Sequence, residues 1–196
     1  IKYRYVKDFE VRELDPRNND IVRESRDSYS WLRMPGHLRE TYNGGGGSIG
    51  GTLVSREFAS DIYEDQRKVK IYLPPDYEKD SEPYPVAYVH HGIEALDMGH
   101  IHFVVDALIE QKRVRPLILV FELEADHDAE KYPTYFVDEL VPFIDGAYRT
   151  INGPEGRIKM GNGGAGFISL YTALSHPETI GNVACQSSFY WALDRE

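Results

Sequence analysis

Apolar residues along most of the chain follow the two periods that separate strands from helices. Alternation, or a short apolar run, predicts strands in six segments: 52–58, 69–73, 86–90, 117–121, 157–160 and 182–186. Short apolar runs are typical of strands buried on both faces of a parallel sheet. We therefore expect 86–90, 117–121 and 182–186 to lie in the interior.

Helical spacing appears between these strands. Five apolar residues fall at i, i+3, i+4, i+7 and i+11 and predict an amphipathic helix: Val137, Leu140, Val141, Ile144 and Tyr148. Two further helices are predicted within 102–111 and 167–174. Strands that alternate with helices at this pace predict an α/β fold with a doubly wound, mainly parallel sheet.

The first part of the chain differs from this pattern. Residues 1–51 are expected to form an irregular N-terminal segment, and residues 52–196 the α/β domain. The segment contains Gly44-Gly45-Gly46-Gly47-Ser48, and no Lys-Ser/Thr pair follows to complete a phosphate-binding loop. The run is interpreted as a flexible loop; it also equals one unit of a common synthetic linker, so engineering stays open.

Composition narrows the class of partner. The 196 residues carry a formal net charge of -10, which disfavours nucleic acid and anionic membranes. No apolar run approaches the ~20 residues that span a bilayer. The single cysteine, Cys185, excludes an internal disulfide and is compatible with the cytosol. The first residue is Ile1, so a removed leader and export stay open and the compartment is unknown.

The segment Gly161-Asn162-Gly163-Gly164-Ala165-Gly166 stands between a predicted strand and a predicted helix. Strand, small-residue turn and helix are the context in which G-x-S-x-G presents a nucleophilic serine. Gly163 occupies the place of that serine, and glycine has no side chain that could attack a carbonyl. The turn therefore indicates the framework of a hydrolase without its nucleophile.

Several further strings occur in a characteristic order between about residues 52 and 191: 69–77 (VKIYLPPDY), 84–92 (YPVAYVHHG), 115–120 (RPLILV), 139–145 with 148–150 (ELVPFID, YRT), 157–166, 176–178 (HPE) and 186–188 (QSS). With them the chain resembles the enterochelin-esterase-like, or putative esterase, branch of the α/β hydrolases, near the esterase D and feruloyl-esterase groups. The resemblance implies an α/β-hydrolase fold and ester hydrolysis by a Ser-His-Asp triad. It also implies an oxyanion hole of backbone N–H groups.

The chain departs from that family at the catalytic positions. Ala165 replaces a glycine, and His91 stands where the family usually has Asp. In this fold the acid and then the histidine follow the nucleophile. After Gly163 the only histidine is His176, no Asp or Glu lies between them, and Asp194 comes too late. We therefore expect a C-terminally incomplete hydrolase fold without catalysis; the alternative is a non-catalytic binding protein or engineered scaffold.

An oxyanion hole is formed by backbone N–H groups, so it can be present in a chain that lacks the catalytic triad. Backbone N–H groups of Ile93, after His91-Gly92, and of Gly164 are its candidates, and Ser187 is expected to line the pocket. These residues predict a small-molecule ester or carboxylate as ligand, with no cofactor. A nucleophilic role for Ser169 or Ser187 lacks a base placed by sequence.

Two further hypotheses concern a metal site and the oligomeric state. The histidines His90, His91, His100 and His102 lie near 126–128 (DHD), but no spacing matches a zinc motif, so we expect no metal site. If the sheet ends at the 182–186 strand, that edge invites pairing with a second copy. A homo-oligomer is therefore expected.

Overall fold

The computed structural model describes residues 2–7, 11–23, 27–32, 49–124 and 128–188. The chain divides into two compact units, Ile1–Asn43 and Gly44–Glu196. The predicted Gly-rich loop at 44–48 lies outside the described residues, and the predicted domain boundary at residue 51 stays a prediction.

The first unit is built from short antiparallel strands. In its described residues the strands are β1 (Lys2–Tyr3), β2 (Tyr5–Lys7), β3 (Val11–Glu13), β4 (Ile21–Arg23) and β5 (Ser28–Trp31). They form a three-stranded sheet in the order β1-β5-β4 and a hairpin of β2 with β3. Asp15 holds the first sheet together, because its carboxylate accepts from the Tyr3 hydroxyl at 2.6 Å and its N–H donates to the buried Ser30 hydroxyl at 2.7 Å.

The second unit carries a six-stranded sheet. Its strands are β6 (Thr52–Ser60), β7 (Asp65–Leu73), β8 (Val86–Val89), β9 (Ile118–Glu122), β10 (Arg157–Asn162) and β11 (Asn182–Gln186). Their order is β11-β10-β8-β9-β7-β6. The first four strands in this order are mutually parallel, whereas β7 and β6 add to the sheet antiparallel. The predicted α/β class and parallel centre are confirmed.

Helices cover both faces of this sheet. They are α1 (Gly92–Asp97), α2 (Ile101–Glu110), α3 (Lys131–Tyr135), α4 (Val141–Ala147) and α5 (Gly164–Ser175). A π-helical turn, Phe136–Leu140, joins α3 to α4, and a short 3₁₀ turn, Pro154–Gly156, precedes β10. The helix predicted from residue 137 thus begins six residues earlier than its amphipathic spacing indicated.

Strand alternation divides the core into two layers. Val86 and Tyr88 of β8 pack with Phe136 and Ile144, and Ile168 of α5 joins the same layer. Ala87 and Val89, the intervening residues of β8, face the opposite layer with Leu96, while Ile101 and Val105 of α2 pack against it. Because successive strand residues point to opposite faces, one short apolar strand serves both layers. The doubly wound arrangement is confirmed.

Two local predictions were wrong. Strand β11 was expected in the interior, yet four of its five residues are exposed because it lies at the outer side of the described sheet. The spacing of Asp145 and Arg149, four residues apart on a predicted helix, predicts a local ion pair between them. Asp145 instead binds Arg157 at 2.6 Å, and Arg149 donates to the Tyr77 carbonyl and stacks over its ring.

Candidate functional site

The elbow turn between β10 and α5 has the backbone that the sequence predicted. Gly163 adopts φ 59° and ψ −124°, a conformation in which an L-residue is strained. Its N–H donates to the Gln186 carbonyl at 2.9 Å, and its own carbonyl accepts from the N–H of Phe167 at 3.2 Å. The turn is therefore tied on one side to the edge strand β11 and on the other to helix α5.

Small residues around Gly163 are required by close backbone contacts. A Cβ on Gly161 would lie 2.5 Å from the carbonyl carbon and oxygen of Ala165, and one on Gly166 would lie 2.8 Å from the Gly161 oxygen. Ala165 itself is only 1% exposed. The glycine pattern is thus explained by the tight passage from strand to helix, whether or not a nucleophile stands at its tip.

A second tight turn follows the neighbouring strand β8. His91 adopts the left-handed conformation, with φ 54° and ψ 49°, and helix α1 begins at Gly92. A Cβ on Gly92 would lie 2.7 Å from Cα of Phe121, so a larger residue would separate α1 from β9. Since β8 and β10 are parallel neighbours, both turns lie at the carboxyl edge of the sheet.

A pocket of about 320 Å³ opens at this edge. The ends of β8, β10 and β11 form its base, and α1 with the turn before α2 forms its wall. Its lining residues are Val89, His90, His91, Glu94, Ala95, Met98, Gly99, Ile101, Met160, Gly161, Asn162 and Gln186. A larger cavity of about 570 Å³, lined by Arg56 and Tyr148, lies at the opposite edge. Ligands of open α/β sheets bind at the carboxyl edge, so the smaller pocket is the candidate site.

Of the residues predicted for the site, His91 lines the pocket directly. Gly92 is buried behind it, and Ile93 is 42% exposed at the start of α1. Gly164 is the first residue of α5, so its N–H belongs to a turn that leaves such groups without an intrahelical acceptor. Ser187 is exposed with φ 48° and is not part of the lining. That these N–H groups form an oxyanion hole stays a prediction.

A cluster of buried polar side chains lies in the core layer that contains Phe136, and one of its members, His90, also lines the pocket. The ammonium of Lys159 contacts a Glu122 carboxylate oxygen at 2.5 Å and the hydroxyl of Tyr132. That hydroxyl donates to the second Glu122 oxygen at 2.5 Å, and Nδ1 of His90 lies 3.7 Å from the same atom. All four residues are at most 3% exposed. We call this set, Lys159, Glu122, Tyr132 and His90, the buried ion cluster.

The cluster changes the titration of its members. Burial opposes ionisation of Glu122, but the Lys159 charge, with a smaller contribution from nearby His90, outweighs it and lowers its pKa to about 2. Burial lowers the pKa of Lys159, although Glu122 acts against that shift. Burial, followed by the charge of Glu122, raises the pKa of Tyr132 well above its ordinary value. At neutral pH Glu122 is therefore ionised and Tyr132 is neutral, and both are hydrogen-bonded to the Lys159 amine.

The other residues considered for catalysis have structural roles, and the described residues form no metal site. His176 follows the last residue of α5, where its Nδ1 lies 3.2 Å from Glu178. The hydroxyl of Ser169 donates to the Ala165 carbonyl at 2.7 Å, the local bond expected of a serine inside a helix. Across the described ranges no three His, Cys, Asp or Glu residues are grouped to hold a metal ion. In those ranges, too, no helix has the length and apolarity needed to cross a membrane.

Comparison with known proteins identifies the family to which this chain belongs. The family model of the putative esterases matches residues 60–195, more than half of the chain. The chain belongs to this putative esterase family. It is also 26% identical over 151 residues to the uncharacterized protein YjcH of Bacillus subtilis, covering 71% of this chain and 62% of that protein.

A second relative is the endo-1,4-beta-xylanase/feruloyl esterase of Xylanibacter ruminicola, 26% identical over 162 residues, which cover 73% of this chain and 21% of that protein. Among solved structures, the enterobactin esterase FES of Shigella flexneri superposes with a TM-score of 0.77 at 20% identity, over 94% of this chain and 50% of that one. A ferulic acid esterase gives a TM-score of 0.65 at 23% identity, over 72% and 60% of the two chains. The chain thus spans less than two thirds of these relatives.

Sequence reasoning missed two features of the site. Glu94, Met98, Asn162 and Gln186 line the pocket, and only the last two carried a signal, because Asn162 belongs to the predicted elbow turn and Gln186 ends a predicted strand. The buried ion cluster was missed as well. The one signal for it in the sequence was Lys159, a charged residue inside a predicted strand. In the structure Lys159 is buried, as are Arg157 and Gly161, two positions away on the same face of the strand.

Proposed function

We propose that this chain binds small carbonyl compounds, esters above all, at the carboxyl edge of its sheet and does not hydrolyse them through a serine nucleophile. The observation that carries the proposal is Gly163, which holds the elbow conformation with no side chain to attack. The pocket beside it provides about 320 Å³ for a ligand, a volume typical of small-molecule sites.

Esters are the ligand class that the relatives support. The solved structures with this fold are named as enterobactin and ferulic acid esterases. A carbonyl oxygen placed at the start of α5 would meet the Gly164 N–H, and the positive end of the helix dipole favours the partial negative charge of that oxygen. Binding of a carbonyl group needs these donors alone, whereas cleavage needs a nucleophile and a base.

His176, the histidine at the end of α5, is also too far from Gly163 to act as a base for a nucleophile there. His176 is separated from Gly163 by the whole of a 12-residue helix. At a rise of 1.5 Å per residue this places the two ends about 18 Å apart. The oxyanion donors and the pocket alone would sustain only a small residual rate.

The decisive experiment is a binding measurement with an uncleavable ester mimic. N-methylbenzamide, titrated against isotope-labelled protein, should shift the amide resonances of Gly164 and Asn162 saturably. Gly164→Pro removes the donor N–H at the first helical position, where proline fits. It should weaken binding about tenfold, the effect of one directed hydrogen bond to a polarised oxygen.

Gly164→Ala is the matched control, because it alters the side chain and keeps the N–H. It should bind like the unmodified chain. Equal affinity of the proline and alanine variants would show that the Gly164 N–H takes no part. A parallel assay with p-nitrophenyl acetate, with heat-treated protein as blank, should show no saturable turnover; such turnover would contradict the non-catalytic half of the proposal.

A further inference from the structure

The described residues that line the pocket include an acidic side chain but no basic Lys or Arg. Its apolar part consists of Val89, Ala95, Met98, Ile101 and Met160, and its neutral polar part of Asn162 and Gln186. Lys and Arg are absent from the residues that line it, among those the structure describes. The formal charge of the described lining is therefore that of Glu94, and its other titratable residues are His90, which is buried, and His91.

The backbone fixes Glu94 at this wall. It is the third residue of α1, and its carbonyl accepts from the N–H groups of Met98 and Gly99, each at 2.9 Å. Its side chain is exposed, and none of the ion pairs within the described ranges includes its carboxylate. An acid in the first turn stabilises the helix dipole, which accounts for its presence in α1. The same charge nonetheless borders the pocket without a neutralising partner.

The charge has a consequence for the ligand. A carboxylate in the pocket would be repelled by Glu94 at short range, and the partly apolar surroundings screen this repulsion less than bulk water does. An ester or amide of the same size meets no such repulsion. Its carbonyl oxygen can still accept from helix-terminal N–H groups, and its body can pack on Met98 and Met160.

We propose that the pocket selects uncharged esters and amides over carboxylates, and that Glu94 is the residue that sets this preference. The inference rests on the proposed carbonyl-binding function of the same pocket and narrows it. A carboxylic acid, including the acid that ester cleavage would release, is then a poor ligand.

The test compares two probes of nearly equal size, N-methylbenzamide and benzoate, by chemical-shift titration at pH 8 and about 20 mM salt, where histidine is neutral and screening is weak. The side-chain amides of Asn162 and Gln186 report the pocket. The amide should bind the unmodified chain about tenfold more tightly than benzoate. Glu94→Gln should improve benzoate binding several-fold, so that the ratio of the two affinities falls towards one.

The matched control is Glu110→Gln, which removes an exposed acid at the end of α2 that does not line the pocket. It should keep the full tenfold preference. Benzoate binding as tight as that of the amide, or a preference that persists in Glu94→Gln, would overturn the inference and leave the pocket intact. Failure of both probes to shift the pocket resonances would overturn the carbonyl-binding function and this inference together.

Discussion

Two neighbouring parts of strand β10 are held in their surroundings by opposite means. At its carboxyl end the elbow turn is shaped by the absence of side chains, since Gly161 and Gly166 let backbone approach backbone. Two residues before Gly161, Lys159 brings a full charge into the core, where Glu122 and Tyr132 compensate it. The elbow therefore fails when atoms are added, and the buried ion cluster fails when one partner is removed.

The largest expected effect comes from breaking the cluster. Lys159→Met should destabilise the fold by about 3–5 kcal/mol, because it leaves the Glu122 charge buried without its main partner. Urea unfolding measures this loss. The double variant Lys159→Met/Glu122→Gln should recover a large part of it, and a double variant no more stable than the single one would show that charge compensation is not the cause.

Lys68→Met provides the surface counterpart. Lys68 lies 3.7 Å from Glu57, but both side chains are more than half exposed. Solvent screens such pairs strongly, so this change should leave the unfolding midpoint nearly unaltered.

Acid should weaken the same cluster. The pKa of Glu122 is lowered from 4.5 to about 2 in the folded protein, so its ionised form stabilises the fold above the ordinary pKa. That contribution, about 3 kcal/mol, should fade as the pH falls from about 5 towards 2. Unfolding free energies measured across this range should fall less steeply in Lys159→Met/Glu122→Gln. An equal slope in both proteins would assign the acid sensitivity to other carboxylates.

Substitutions that add a side chain test how closely the backbone packs in the elbow turn. Gly161→Ala should cost about 1–3 kcal/mol, because its Cβ would lie 2.5 Å from backbone atoms of Ala165 that cannot rotate away. Gly146→Ala in helix α4 is the matched control, since its Cβ would meet no atom within 4 Å. That change should instead stabilise the helix by up to about 1 kcal/mol. Thermal unfolding of the two variants should shift in opposite directions.

A smaller effect than that of Gly161→Ala is expected at the tip of the elbow. Gly163→Ser places a side chain at φ 59° and should cost about 1 kcal/mol of backbone strain. It should not produce saturable hydrolysis of p-nitrophenyl acetate, since a serine alone has no base. Turnover above that of Gly163→Ala, which carries the same strain without a hydroxyl, would show that a base within the chain reaches this position.

Local patterns predicted the strands of the six-stranded sheet and the elbow, because hydrophobic period and glycine spacing are properties of neighbouring residues. The parallel direction of the central strands followed from their alternation with helices. The buried ion cluster could not be predicted in this way. Lys159 and Glu122 are 37 residues apart, and their pairing depends on β8 lying between β9 and β10.

The same limit explains the two local errors. Asp145 was assigned to its helical neighbour Arg149, but the buried Arg157 competes for it from the start of β10. The exposure of β11 depends on its place at the side of the sheet, which its apolar sequence does not report. Apolar composition predicts a strand, whereas burial is decided by what packs against it.

The hydrogen bond from Gly163 to Gln186 joins the elbow to the least protected strand of the described sheet. Opening of that strand would release the turn from its positive φ and let the start of α5 move. The elbow amide should then exchange its hydrogen with solvent at the pace of the strand's opening rather than that of the helix behind it. Because Gln186 also lines the pocket, the strand that anchors the elbow is itself part of the candidate site.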